Sequence, residues 1–222
     1  MRRGRSCDDG RVARASQAPP GWGAVAILGG LTWIPVRIGV SVSYVASFMA
    51  LDYVTWNRLM VVPLGLMLAA VVGLFGSMPT RAARTAAGIA TVGLAAMMTG
   101  VVVEFFVFGG LAGNREGASA GWLVYLLGLA VHVIGLLAMG VATWGSPLGW
   151  LAPLIAVLHA GWLPAGLLEG GFVLMADQVG IGVAWAALGL VWVLLRTPPP
   201  WRDSSPTRRG RTDRATAYWT GG

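Results

Sequence analysis

An all-α, polytopic bundle of about six membrane-spanning helices, with both termini cytoplasmic, is the fold that this sequence predicts. Three observations predict it: 56% of the 222 residues are apolar, only 11% are charged, and the apolar residues gather into runs of about 20. A soluble domain carries about a quarter charged residues, enough to coat its core, and this chain lacks that coat. A barrel is excluded because the runs do not alternate polar and apolar residues, and an open lipid-facing strand would leave backbone groups unpaired.

The chain opens with a basic tail, residues 1–21, holding Arg2, Arg3, Arg5, Arg11 and Arg14 and expected to be disordered. The first span, about 22–40, is the weakest, because Pro35 and Arg37 interrupt it. Its long Arg-rich leader argues for a retained helix and against a cleaved signal peptide. Between Ser41 and Arg58, Tyr44, Phe48, Tyr53 and Trp56 mix with Asp52 and Asn57. That mixture predicts a segment along the membrane interface or an extension of the first helix. The second and third spans fall at about 59–78 and 87–109. A longer polar loop, Gly110 to Ala120, precedes the fourth, about 121–142. The fifth, about 148–168, carries Pro153 and Pro164, and the sixth runs over about 172–195. Thr143 to Pro147 and Glu169 to Gly171 read as tight connections. Residues 196–222 form a second disordered tail, rich in Pro and Arg.

All 16 basic residues are Arg, and most of the net charge of +7 lies in the tails. Six spans place both tails, Arg81 and Arg84 on one side, leaving Arg37, Arg58 and Arg115 elsewhere. The positive-inside rule then puts the termini in the cytoplasm, and this orientation together with the bias towards Arg, Ala, Gly and Val suggests a bacterial inner (plasma) membrane. Charge beside apolar spans reflects orientation, so nucleic acid is not an expected partner. The expected partners are the lipid bilayer and either a membrane protein or a second copy of the chain, met through small-residue faces. The single Cys7 cannot close an internal disulfide. No phosphate loop, paired-Cys motif, His-Glu-x-x-His or Gly-x-Ser-x-Gly elbow occurs, so the common catalytic signatures are absent. No internal repeat supports an inverted-repeat transporter.

Ionisable residues inside spans are costly and mark candidate sites. Glu104 shares a face with Ala90, Gly93 and Gly100. Asp177 leads Gly180, Ala184 and Ala187. His132 sits between Gly128 and Gly135, and His159 shares a face with Ala152, Ala156 and Gly166. Helical rise places Arg37, Glu104 and Asp177 roughly 5 to 8 Å below the outer surface, and the two His roughly 14 to 16 Å deep. A direct ion pair between Arg37 and one or both acids is the expected arrangement. Two readings of the group follow: a structural ion-pair cluster, or a polar cavity open outward with His132 and His159 at its floor, serving a substrate or proton path. The second suits a small transporter-like or ion-coupled protein. The alternatives are a non-catalytic subunit or scaffold binding partner helices, and a redox protein with haem held between His132 and His159. Zinc on the two His and one acid is a further geometry to test. No motif names a cofactor.

Overall fold

The computed structural model describes residues 21–45, 47–78, 80–167 and 171–194. Both expected tails, apart from Gly21, and Glu169 lie outside the described residues. The helices are α1 (Gly21–Ser43), α2 (Tyr53–Leu59), α3 (Val61–Phe75), α4 (Arg81–Val101), α5 (Arg115–Ala142), α6 (Pro147–Leu167) and α7 (Gly171–Leu194). A π-helical turn, Val102–Val107, continues α4. Among the described residues there is no strand beyond an isolated bridge between Phe48 and Leu51.

Five helices are long and apolar enough to cross a membrane: α1, α2 with α3, α4 with its π turn, α5 and α7. The apolar part of α6 that qualifies by composition, Pro147–Gly161, is shorter. Helix starts depart from the hydropathy windows because caps, and not apolar content, begin a helix. Asp52 accepts from the Thr55 amide at 2.7 Å, Thr80 from Ala83 at 3.1 Å and Asn114 from Gly117 at 3.1 Å. Each side chain satisfies an amide that the first turn leaves without an intrahelical partner. The caps draw Tyr53 to Arg58, Arg81 to Ala86 and Arg115 to Ala120 into helices. The segment from Ser41 to Arg58 is therefore divided: Ser41 to Ser43 end α1, and Tyr53 to Arg58 begin the next helix. The break at Met60 follows from Pro63, which has no N–H for the Leu59 carbonyl and crowds it with its ring.

Each helix packs on its chain neighbours, and α7 closes the ring against α1. Two seams bring backbones into contact. Between α4 and α5, a Cβ on Gly128 would lie 2.6 Å from the Met97 amide nitrogen, and one on Gly100 would lie 2.5 Å from that of Tyr125. Between α1 and α7, a Cβ on Gly23 would lie 2.8 Å from the Gly189 carbonyl. Only glycine permits such approach, which is how small residues join apolar helices. The contact of Gly23 with Gly189 and Val193 also sets the start of α1 beside the end of α7. Leu64, Met67, Leu94, Met97, Leu136 and Ile155 fill the interior, while Leu28, Val92, Leu127, Ile134, Val157 and Val183 face outward. An outward apolar belt of this kind suits hydrocarbon better than water.

Candidate functional site

At the end of the bundle opposite Gly21 and Leu194, the helices part around a cavity of about 430 Å³. Val40 and Ser41 of α1, Tyr44 just after it, Tyr53 and Asn57 of α2, Trp122 and Tyr125 of α5, and Leu174 of α7 form its wall. Trp122 and Tyr125 stack with ring centres 5.8 Å apart and planes 4° from parallel, giving one side a flat aromatic face. Among the described residues, two charged side chains line the cavity, Arg37 and Glu104.

Glu104 enters from the π turn, where the Phe108 amide reaches back to the Val103 carbonyl at 3.2 Å and the Gly110 amide to the Glu104 carbonyl at 2.7 Å. Such turns widen a helix by one residue and re-aim its side chains. A Cβ on Gly121 would stand 2.6 Å from the Glu104 amide nitrogen, so the α5 backbone closes behind Glu104. The residue is 8% exposed, and its carboxylate has no hydrogen-bond or ion-pair partner among the described residues. A carboxylate held this deep without a built-in partner is costly unless something solvates or pairs it, and the cavity it faces is where a compensating group can enter.

Arg37, also buried, stands about 9 Å of helical rise before the end of α1. Its Nε donates to Gln178 Oε1 at 2.8 Å, and Gln178 Nε2 donates to Asp177 Oδ2 at 3.0 Å. The direct ion pair expected from the sequence is thus replaced by an amide bridge: no ion pair joins Arg37 to Glu104 or Asp177 among the described residues. The guanidinium carbon lies 5.5 Å from the centre of the Trp33 ring, within cation–π range. Asp177 is half-buried against Gly161 of α6, outside the cavity wall.

Below Arg37 a void of about 10 Å³ is lined by Trp33, Arg37, Tyr125, Leu129, His159, Gln178 and Ile181. Arg37 and Tyr125 border both spaces, so the void continues the cavity inward. His159 is 2% exposed and His132 fully buried, their ring centres 5.2 Å apart. His132 lies behind His159 and lines neither space.

The histidines do not fit the haem geometry. Axial ligands stand on opposite faces of a macrocycle, whereas these rings are adjacent, with Trp33 stacked on one and Trp185 on the other. Nor do they meet an acid: no group of three His, Cys, Asp or Glu residues that could hold a metal occurs among the described residues. Sequence reasoning missed Gln178, Trp33, Trp185 and Tyr125. The signal for Gln178 lay in the bulky stripe Gln178, Ile181, Trp185 and Leu188, all buried, beside the small-residue stripe led by Asp177. Comparison with protein-family models, curated proteins and solved structures finds no match to this chain.

Proposed function

We propose that this is a six-span integral membrane protein of transporter-like or ion-coupled type, in which the cavity between Arg37 and Glu104 receives a small polar solute from the outer face. The carrying observation is the Glu104 carboxylate, without a hydrogen-bond or ion-pair partner among the described residues, on the wall of a cavity of about 430 Å³. That volume falls within the range of small-molecule sites, about 300 to 1,000 Å³. A merely structural charge would be expected to have its partner built in.

The orientation rests on charge. Arg81 and Arg84 stand at the closed end, where α1 begins and α7 ends, and the Arg-rich tails follow in sequence from those two helix ends. By the positive-inside rule this end faces the cytoplasm, the cavity opens outward, and the inner (plasma) membrane is the location assigned. With α6 counted as a span, both termini share the cytoplasmic side.

The test is a current. Reconstituted protein on a solid-supported membrane is challenged with a panel of small polar solutes and inorganic ions. A transient is expected in the wild type, and its loss is expected in Glu104→Gln with helix content unchanged. An equal transient in the variant, or none for any solute in the wild type, rejects the reading.

A further inference from the structure

We propose that the floor of the cavity leads into a binding site for a neutral, water-sized molecule that both donates and accepts hydrogen bonds. Four buried rings from four helices stand in file. Trp33 stacks on His159 at 5.8 Å, His159 lies 5.2 Å from His132, and His132 stacks on Trp185 at 6.1 Å. His132 Nδ1 lies 3.0 Å from the Ala90 carbonyl and His159 Nδ1 lies 3.2 Å from that of Ile155. A carbonyl only accepts, so both Nδ1 atoms carry the proton, and each Nε2 is left as a bare acceptor. An indole nitrogen only donates. His132 Nε2, His159 Nε2, Trp33 Nε1 and Trp185 Nε1 are all buried without a hydrogen-bond partner among the described residues. Each Trp–His stack therefore leaves one donor and one acceptor unmatched, the complement of a water molecule.

Space and charge narrow the occupant. The void touching Trp33 and His159 measures about 10 Å³, close to the least that holds one water. Arg37 on the same void raises the cost of any cation there, and a void of this size, with a bare imidazole acceptor on its wall, leaves no room for a polyatomic anion. A neutral protic molecule, water or ammonia, satisfies the Trp33 donor and the His159 acceptor together. The His132–Trp185 stack repeats this donor and acceptor one ring deeper but borders neither space. Placing the site on a solute path rests on the function proposed above; the site itself does not.

The chain has two histidines, so ¹⁵N-histidine labelling in lipid nanodiscs reports on these rings alone. Solid-state NMR is expected to show neutral, Nδ1-protonated rings, with at least one Nε2 shifted to its hydrogen-bonded position and receiving magnetisation from water. Trp33→Phe, which keeps the ring and deletes the donor, should weaken that transfer. Bare-acceptor shifts with no transfer from water at either ring overturn the site. So does stoichiometric displacement of both signals by Zn(II) or Ag(I). Dry imidazoles in a protein whose current depends on Glu104 would remove this site and keep the chamber; hydrated imidazoles with no current would do the reverse.

Discussion

Arg37 and Gln178, 141 positions apart in the chain, are joined by a 2.8 Å hydrogen bond from the guanidinium Nε to the amide oxygen. The bond ties α1 to α7 at the level where the cavity narrows. Gln178 is 1% exposed, so the bond is shielded from competing water. Gln178→Leu should lower stability by about 1.5 to 3 kcal/mol, the range for a hydrogen bond to a charged group. A drop in the unfolding midpoint in detergent measures it. Gln178→Glu keeps an acceptor for Arg37 and adds an opposite charge but loses the amide that donates to Asp177, and should retain part of the wild-type midpoint, more than Gln178→Leu does.

Glycines that look alike in the sequence should respond differently to a methyl group. Gly128→Ala drives a Cβ against the Met97 backbone, which cannot swing aside as a side chain would, and should cost about 1 to 3 kcal/mol or more. Gly76→Ala meets nothing within 4 Å at an ordinary helical φ of −65°, and should change stability by no more than about 0.5 kcal/mol. Parallel thermal denaturation of the two variants distinguishes a packed seam from an open position.

Asp52, just before α2, supplies a pH dependence. Its hydrogen bonds with Thr55 hold the carboxyl below its ordinary value of 3.8. The folded value is depressed, so the stabilisation is fully present above 3.8 and is lost as pH falls through the lower folded value. The protection factor of the Thr55 amide, its exchange rate set against that of an unstructured amide at the same pH, should therefore fall at acid pH. In Asp52→Asn, which caps without titrating, that fall should vanish.

Cysteine labelling reads the cavity and the orientation together. In a Cys7→Ser background, Ser41→Cys on the cavity wall should react with an impermeant maleimide from outside intact cells. Ala152→Cys, at a position with no exposed surface, should stay unlabelled. Labelling of Ser41→Cys only after the cells are opened would reverse the assigned orientation.

The helix interiors were legible because hydropathy over about 20 residues is a strong signal. The ends were not, since Arg81, Arg84, Arg115 and Glu116 lower the hydropathy of segments that capping places in helices. The small-residue stripes read α4 and α5 well: Gly93, Gly100 and Gly128 all lie in their seam. On α7 the same argument favoured the stripe led by Asp177, yet Gln178 is the more buried of the two. There the core is filled by Trp185, whose bulk leaves less to a small-residue face. Arg37 and Glu104 stood out as charges within apolar runs. Their separation, and the bridging amide, depend on side-chain reach across helices far apart in sequence, which no local pattern encodes.

The glycine seams also decide which parts can move. Backbones in contact have no side-chain layer to shear across, so α4 with α5, and α1 with α7, behave as two stiff blades. Any opening or closing of the chamber must be taken up at the remaining joints, α1 with α3, α3 with α4, α5 with α6 and α6 with α7, where longer side chains can slide. Since Arg37 rides on one blade and Glu104 on the other, a rocking of the pair changes the gap between the two charges directly.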